Sequence, residues 1–368
     1  MKKVWVEVSQ NAVRNNIKAM RRIIRPGAKL FAVVKSNAYG HGLALFSEMA
    51  ERFGADGFCV DSVIEGLKLR SAGIQRSILV LGPTLPNGSL AEAASNGITV
   101  TVSSHESLAQ IAKSKFKPAF HIKVDTGMHR QGFYPEELKK IAQLITNRQL
   151  PIAGIYTHFA SAKDLNYPTF TELQFREFTR ATGILAAHGL KRLIRHTAAT
   201  GGTMVSRKYH LDAVRIGIGL YGLWPSKELE MQLPKINLEP ALSWHSVVSE
   251  VKKVSAGEYI GYDLAERLTR DTTVAIVPIG YWHGFDRGLS GVGRVLIHGR
   301  QARVLGRVSM DLLTVDATGI PVRQGSVATI IGSQSGGAIS ASDVAQKIGT
   351  SHYEVITRIN PLIERVAT

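Results

Sequence analysis

A lysine at the end of an apolar run is the first residue whose position suggests chemistry. Lys35 directly follows the apolar residues 30–34. A lysine beside buried apolar surface needs an anionic partner, access to water or a chemical use. Desolvation lowers the pKa of a lysine, and the neutral amine can then form a Schiff base with a carbonyl compound. From this residue alone, however, a lysine that reaches past the strand end into solvent is the better explanation.

The elements that position this lysine follow a regular rhythm. Eight short apolar runs alternate with helix-like stretches, and they begin near residues 30, 58, 78, 98, 120, 152, 195 and 214. Strands that alternate with helices indicate parallel βαβ units. Eight units without a second Gly-rich dinucleotide pattern favour a (β/α)8 TIM-type barrel over a doubly wound sheet. Catalytic groups of such barrels lie at the carboxyl ends of the strands, which is the position of Lys35.

The rhythm changes after about residue 237. Strand-like runs now follow one another closely, over residues 244–254, 273–279, 292–297, 301–308 and 312–315. One helix signal remains, capped by Ser342 and Asp343 and ended by Gly349. The sequence therefore predicts an α/β barrel over residues 1–236 and a C-terminal, mostly β domain over residues 237–368.

The composition excludes several classes of protein. An apolar fraction of 44% and a charged fraction of 20% are typical of a folded chain rather than a disordered or fibrous one. The single cysteine, Cys59, excludes an internal disulfide, and no apolar stretch is long enough to predict a membrane span. The N-terminal residues lack the apolar segment of a signal peptide, so the sequence predicts a cytoplasmic protein.

The charge is unusually basic, with a net charge of +16 and a pI of about 9.9. A basic surface attracts anions, including nucleic acid, without specificity. The basic residues are spread along the chain, and the densest cluster, at Lys113, Lys115 and Lys117, is short. This dispersal indicates a solvated surface and no specific nucleic-acid site. A nucleic-acid-binding protein stays open as an alternative on the charge alone.

Seven segments, in chain order, resemble motifs of the alanine racemases, which are fold-type III pyridoxal-phosphate enzymes. The segments are KSNAYGHG (35–42), VDTGMHR (124–130), THFA (157–160), RIGIGLYG (215–222), IGY (260–262), PIGY (278–281) and GRVSMD (306–311). Seven matches on both sides of the predicted domain boundary make the resemblance specific, and it covers nearly the whole chain. It implies a pyridoxal 5′-phosphate-dependent racemase, with D-alanine for peptidoglycan as its product, and no metal.

The resemblance also implies a homodimer with two acid/base residues in each shared site. Lys35 would hold the cofactor and exchange the substrate Cα proton on one face. Tyr262, from the C-terminal domain of the partner subunit, would exchange it on the other face. A tyrosine with a pKa near 10 is a poor base at pH 7, and His158, hydrogen-bonded to Tyr262, is the implied assistant. Taken singly, Tyr262 reads as a surface aromatic residue and His158 as a satisfied histidine at a strand end.

The remaining roles that the resemblance implies concern the cofactor and the substrate carboxylate. Arg215 would face the pyridine nitrogen, although by itself it reads as an ion pair at a barrel end. The phosphate positions are Tyr39, Thr200, Tyr353 and the backbone amides of Gly217 and Ile218. Arg130 and the Met310 backbone would bind the substrate carboxylate, with Asp311 as a supporting residue. Lys123 takes the position of a lysine that is often carbamylated in the family, and its alternative is an ion pair with a carboxylate such as Asp125.

Several positions depart from the usual family pattern. Ala199 replaces an amide before Thr200, and Ser309 replaces a common cysteine. The segment 280–284 carries His283 where the pattern Gly-Tyr-x-Asp-Gly has aspartate. These changes leave alanine, serine, lysine or a broad range open as substrates, while Tyr353 limits long side chains and favours alanine. A non-catalytic pyridoxal-phosphate carrier and a fold-type III decarboxylase are less favoured alternatives.

Overall fold

The computed structural model describes residues 2–83, 89–164, 166 and 168–368. The chain forms two compact units. One unit contains residues 11–38 and 46–240, and the other contains the chain up to Gln10, residues 39–45 and residues 241–368. The N-terminal strand therefore groups with the C-terminal part of the chain, which a division by sequence order alone does not reveal.

The first unit is built on eight parallel strands. After β1 (Val4–Val8), which belongs to the other unit, the barrel strands are β2 (Lys29–Val33), β3 (Gly57–Val60), β4 (Ser77–Val80), β5 (Ile98–Val102), β6 (Phe120–Lys123), β7 (Ile152–Tyr156), β8 (Ile194–His196) and β9 (Ala213–Ile216). Their ladder runs in chain order from β2 to β8, and β9 pairs with β2. Backbone hydrogen bonds from Asp212 to Arg195 and from Arg215 to Ala198 join β9 to β8. The eight strands thus form a nearly closed barrel, and the predicted (β/α)8 fold is confirmed.

Helices alternate with these strands. In the barrel part of the chain they span Gln10–Ile23, Leu43–Arg52, Val63–Ser71, Ser89–Ser95, His105–Lys113, Leu138–Asn147, Thr169–Ala187, Thr200–Val205 and Lys227–Gln232. Every residue of β3, β6 and β9 is buried. Strands covered on both faces read as continuous apolar runs, which is why the sequence located all eight.

The second unit is built on a mixed sheet. Its strands, besides β1, are β10 (Leu242–Val247), β11 (Glu250–Val254), β14 (Thr272–Val277), β15 (Arg294–Ile297), β16 (Arg300–Leu305), β17 (Leu313–Asp316), β18 (Val327–Gln334), β19 (Gly337–Ile339) and β20 (Glu364–Ala367). The short strands β12 (Tyr259–Ile260) and β13 (Glu266–Arg267) form a separate ribbon. The order is β11-β14-β17-β16-β15-β18-β10-β1-β20, with β19 beside β18. Among the described residues of this sheet, only β1 and β20 pair in parallel. The mostly β character predicted for this part of the chain is confirmed.

Three local predictions for this unit were wrong. The run at 244–254 is two strands, because the backbone at Val248 and Ser249 turns to bond Ser326 and Ile276. The helix Ala341–Lys347 is capped by Ser340, which exchanges hydrogen bonds with Asp343 in a capping box. A second helix, His352–Thr357, is only six residues long, and so short a helix leaves little periodicity in the sequence. Among the described residues, the longest apolar helices fall short of what a membrane crossing requires.

A buried amide ties the first helix to the end of the barrel unit. The Asn16 side chain is fully buried, and it donates to the carbonyls of Leu220 (3.1 Å) and Glu239 (2.8 Å). Its own oxygen accepts the Glu239 N–H at 2.8 Å. All three bonds are made to backbone, so this one side chain satisfies polar groups that are buried or partly buried.

Removal of this amide is predicted to destabilise the barrel. Asn16→Ala removes the side-chain partner of two carbonyls and one N–H that are buried or partly buried, and we expect the free energy of unfolding to fall by about 2–4 kcal/mol. The matched control is Asn15→Ala, because Asn15 is exposed and bonds only the Glu239 carboxylate. Urea unfolding of both variants measures the difference, and equal stabilities would show that the Asn16 bonds contribute nothing net.

Candidate active site

The backbone after Lys35 adopts a strained conformation. Ser36, Asn37, Ala38 and Tyr39 have φ between 51° and 56°, so four successive residues with side chains lie in the left-handed region. Each such residue costs about 1–2 kcal/mol relative to a right-handed conformation. Strain of this kind persists only where surrounding contacts impose it, and it marks functional segments. The turn directs the chain abruptly away from the end of β2, immediately after the lysine.

Two carboxylates from the end of β3 and the following helix meet this turn. Glu65 accepts the Ser36 N–H at 2.7 Å and the Asp61 N–H at 2.8 Å, one with each oxygen. Asp61 lies 3.6 Å from the Lys35 ammonium. Glu65 therefore clamps two strand ends together, and sequence reasoning missed it because a glutamate in the first turn of a helix has an ordinary capping role.

Positive charge is concentrated at the carboxyl ends of the barrel strands. The His158 ring lies in the field of four cations, Arg215, Lys123, Arg130 and Lys35. Burial, followed by these four charges, holds the pKa of His158 well below its usual range. His158 is therefore neutral at physiological pH. The structure thus brings together five residues that the sequence singled out, from the ends of four different strands. They are Lys35, Lys123, Arg130, His158 and Arg215.

Arg215 is fully buried, and most of its donors are engaged by the protein. Its Nη2 donates to the carbonyls of Thr157 (2.8 Å) and Thr197 (2.9 Å). Its Nη1 donates to the carbonyl and to the ring Nδ1 of His196, at 3.2 and 2.6 Å. Among the residues that the structure describes, Nε meets no acceptor. The guanidinium is thus fixed in orientation with one N–H left for a ligand.

His196 and His121 extend this network, and sequence reasoning assigned a role to neither. His196 Nδ1 accepts from Arg215, so a neutral ring carries its proton on Nε2, which donates to His121 Nδ1 at 2.8 Å. Burial, with Arg215 second, lowers the pKa of His121 to about 3 and that of His196 well below its usual range. The sequence did carry a signal for His121. It lies two positions before Lys123 on an apolar strand, so its side chain points to the same side of the strand, toward the barrel interior.

Lys123 is buried without a carboxylate partner among the described residues. Its ammonium lies 4.8 Å above the ring of Tyr156. Burial, then Arg215 and Arg130, lowers the pKa of Lys123 to about 7, against a smaller opposing effect of Asp125. The Asp125 carboxylate instead accepts the backbone N–H groups of residues 127, 128 and 129, at 2.9, 2.9 and 3.1 Å. The structure thus engages the Asp125 carboxylate with backbone and gives no ion pair to Lys123 among the described residues.

The loop after β9 lies against Thr200, the first residue of the helix Thr200–Val205, in the same unit. The Thr200 hydroxyl accepts the Gly217 N–H at 3.1 Å and lies 3.5 Å from the Gly219 nitrogen. Ile218 begins a short 3₁₀ helix that ends at Tyr221, so its amide precedes the first bond within that helix. A β-carbon on Gly219 would lie 2.8 Å from the Thr200 methyl group, which leaves no space for a side chain there. Thr200 and this loop thus bring three of the implied phosphate positions together, at Thr200, Gly217 and Ile218.

The other implied site residues lie in the second unit. The rings of Tyr39 and Tyr353 are 6.2 Å apart, and burial raises the pKa of Tyr353. Tyr262 and Met310 are largely exposed, with 68% and 53% of their surfaces accessible, and both line a cavity of about 790 Å³. Asp311 follows Met310 and is half-exposed. The structure therefore distributes the implied residues over two groups, one in each unit.

Comparisons with known proteins agree over the whole length of the chain. The family profile "Alanine racemase, N-terminal domain" matches residues 8–225, and "Alanine racemase, C-terminal domain" matches residues 241–367. The alanine racemase of Leptospira interrogans is 37% identical over 98% of this chain and 95% of its own length. That of Methanococcus maripaludis is 39% identical over 99% of this chain and 98% of its own length.

Solved structures give the same result. The alanine racemase from Bacillus anthracis, crystallised with bound L-Ala-P, has a TM-score of 0.95 and 35% identity, and the match covers 100% of this chain and 95% of that one. The alanine racemase from the D-cycloserine producer Streptomyces lavendulae has a TM-score of 0.90 and 33% identity, covering 100% of this chain and 97% of that one. The relatives and structural neighbours share the name of one isomerase.

Proposed function

Because the chain belongs to the alanine racemase family, we propose that it interconverts L-alanine and D-alanine with pyridoxal 5′-phosphate as its cofactor. The observation that carries the proposal is the group of four cations around a neutral histidine at the barrel strand ends. An anionic cofactor and a carboxylate substrate are the ligands that such a group favours. The names of the relatives supply the reaction, and D-alanine for peptidoglycan synthesis in the cytoplasm is the physiological role that we infer.

The residues present fit this cofactor. Arg215 keeps its Nε–H without an acceptor among the described residues, and this donor suits a ring nitrogen that carries a lone pair. The Thr200 hydroxyl and the amides of Gly217 and Ile218 suit a phosphate, as do the phenols of Tyr39 and Tyr353. Lys35 would hold the aldehyde carbon through its ε-amine. When bound, pyridoxal phosphate supplies an electron sink that makes the substrate Cα proton acidic.

The protein then has to move one proton on each face of the substrate Cα atom. Lys35 holds or accepts the proton on one face, and the Tyr262 hydroxyl does so on the other. Neutral His158 is the group that we assign to assist Tyr262, because a neutral imidazole can accept a hydrogen bond from a phenol. Arg215 would donate to the ring nitrogen of the bound cofactor and could not protonate it, since a guanidinium keeps its proton. Less charge would then be delocalised onto the bound cofactor, which would favour simple return of the proton to Cα.

The substrate carboxylate needs donors of its own. Arg130 is exposed at the strand-end cluster and supplies a guanidinium. The Met310 N–H meets no acceptor among the described residues, and it supplies a neutral donor. Asp311 neighbours this amide and acts as a supporting residue. Two donors from different parts of the chain would orient the amino acid, and the bulk of Tyr353 favours a small side chain such as that of alanine over serine or lysine.

We further propose that two copies of the chain share each site. Tyr262, Tyr281 and Met310 line one cavity of the second unit, and each exposes 44% or more of its surface. Trp282 and Leu312 add exposed apolar surface close by in the chain. Exposed apolar surface of this extent is characteristic of an interface. In this proposal the barrel opening of a second copy covers this surface. Each Tyr262 then acts in the site that contains the partner's Lys35.

Lys123 is the residue that we propose to be carbamylated. Its pKa of about 7 leaves a substantial neutral fraction, which is the form that attacks carbon dioxide. The amine nitrogen forms a bond to the carbon, one N–H proton leaves to solvent, and the side chain becomes an anion. That anion would lie in the field of Arg130 and Arg215. These two cations repel the lysine ammonium and would attract the carbamate that replaces it.

The first test of this function combines cofactor retention with a chiral assay. We expect borohydride reduction to fix one cofactor on the peptide that contains Lys35, as seen by mass spectrometry, and turnover of L-alanine to D-alanine ahead of serine and lysine. Retained cofactor without turnover of any amino acid would favour a non-catalytic carrier. Release of carbon dioxide would favour a decarboxylase, and no retained cofactor at all would contradict the proposal.

Mixing two inactive chains tests the shared site. Tyr262→Phe should lower racemisation by about 10²–10⁴-fold and leave the cofactor bound, because only one proton-transfer group is lost. Lys35→Ala should be inactive as well. Unfolding and refolding the two together should restore about a quarter of the wild-type activity, since half of the dimers are mixed and each has one intact site. No recovery would place both groups on one chain.

The carbamate is tested with labelled carbon dioxide. We expect protein equilibrated with ¹³C-bicarbonate at pH 8 to show a carbamate resonance in the ¹³C NMR spectrum, and Lys123→Arg to lack it. The matched control is Lys191→Arg, which changes an exposed lysine and should keep the resonance. Acidification should remove the signal in all samples. A resonance that persists in Lys123→Arg would contradict the assignment.

A further inference from the structure

The second unit carries an imidazole at a position where the family pattern has a carboxylate. His283 is 6% exposed and ends a single 3₁₀ turn, Tyr281–His283, before Gly284. Its ring Nδ1 accepts the Gly280 N–H at 3.2 Å, so the side chain closes the turn that precedes it. Its backbone carbonyl accepts the Asn360 N–H at 3.1 Å. The ring and the backbone of this residue are therefore both committed to holding the turn.

The turn rests directly on the backbone of residues 309 and 310. The Tyr281 N–H donates to the Ser309 carbonyl and the Trp282 N–H donates to the Met310 carbonyl, each at 3.1 Å. A β-carbon on Gly280 would lie 2.2 Å from the Ser309 oxygen and 2.4 Å from the Met310 oxygen. No side chain fits between the two segments. Any movement of the turn is consequently passed to the backbone at Met310.

The accepting role of the ring depends on its protonation state. With Nδ1 as acceptor, the neutral ring carries its proton on Nε2, and a second proton converts Nδ1 into a donor that faces the Gly280 N–H. Two charged groups face the ring, the Asp311 carboxylate at 3.9 Å from Nδ1 and the Lys3 ammonium. Burial, the largest effect, lowers the pKa of His283, Asp311 opposes it and Lys3 adds to it. An aspartate would stay an acceptor to a pH of about 4.

We propose that His283 is a positioning residue for the substrate-carboxylate site. Its neutral ring holds the 280–283 turn against Ser309 and Met310, and so fixes the Met310 amide at which the carboxylate binds. Protonation breaks the Gly280 bond, turns the ring toward Asp311 and loosens that amide. Binding of the amino acid is thereby weakened in mild acid, a property that a carboxylate at this position does not confer. The proposal rests on the proposed function for the identity of the ligand and for its contact with the Met310 N–H.

Two variants separate the hydrogen bond from the charge. His283→Asn keeps an acceptor near the Nδ1 position and cannot titrate, whereas His283→Leu removes the acceptor and fills the space. At pH 8 we expect His283→Leu to raise the KM for alanine about tenfold with a smaller change in kcat, because a buried N–H loses its partner. His283→Asn should stay within about threefold of the wild-type KM.

The pH dependence of KM distinguishes this role from a purely structural one, which would not change it. Between pH 8 and pH 5.5, the KM of the wild type should rise more steeply than that of H283N, and the ratio of the two profiles should follow one ionisation below pH 6.5. Equal profiles in the two proteins would overturn the proposal. So would an unchanged KM in H283L at pH 8.

Hydrogen exchange keeps this inference separable from the proposed function. Amide exchange of the peptide that spans residues 279–285 requires no activity. It should be slow in the wild type and H283N at pH 8 and faster in H283L, and after correction for intrinsic exchange it should accelerate in acid in the wild type only. If the wild-type chain does not racemise alanine, the proposed function fails while this result stands. If racemisation occurs and exchange is the same in all three proteins, the role of His283 is refuted.

Discussion

The structure of the barrel unit depends on the accumulation of positive charge at one end of its strands. Lys35, Lys123, Arg130 and Arg215 act on a single imidazole, and the carboxylates nearby offset this charge only in part. Asp61 pairs with Lys35 at 3.6 Å, while the carboxylate of Asp125 is occupied by backbone amides. Like charges in a poorly solvated space repel strongly. The protein reduces this repulsion by keeping its buried histidines neutral and by weakening the affinity of Lys123 for its proton.

Backbone conformation works together with this electrostatic arrangement. The four left-handed residues after Lys35 cost free energy, and the conformational preferences of these residue types do not offset it. The Glu65 carboxylate offsets part of that cost by accepting two backbone N–H groups from different strand ends. Arg215 is held in a similar way by three carbonyls and one imidazole. In both cases a charged side chain is fixed by backbone groups, so the chemistry of the site is placed on rigid parts of the fold.

The sequence predicted what depends on local pattern. The eight barrel strands were found because strands buried on both faces are continuous apolar runs, and the barrel placed Lys35 at a strand end. Strands β1 and β20 were missed because their pairing joins the two ends of the chain, which no local pattern records. His121 and His196 were missed because a buried neutral histidine looks like an ordinary core residue until its partner is known. Glu65 was missed because its role depends on a turn with left-handed dihedral angles that the residue types do not predict.

A buried neutral imidazole that accepts an N–H is found at both His196 and His283, with opposite surroundings. His196 accepts from Arg215, and that same cation suppresses protonation of the ring, so the bond persists across the physiological pH range. His283 accepts from a neutral backbone amide, and its nearest charged neighbour is the Asp311 carboxylate, which favours protonation. The first bond holds Arg215, the residue that we propose to face the cofactor, and the cation beside the ring opposes protonation. The second holds the segment that carries Met310, and the carboxylate beside the ring favours the proton that would break it. Under the proposed function, charge placement around two identical side chains would make cofactor binding less sensitive to acid than substrate binding.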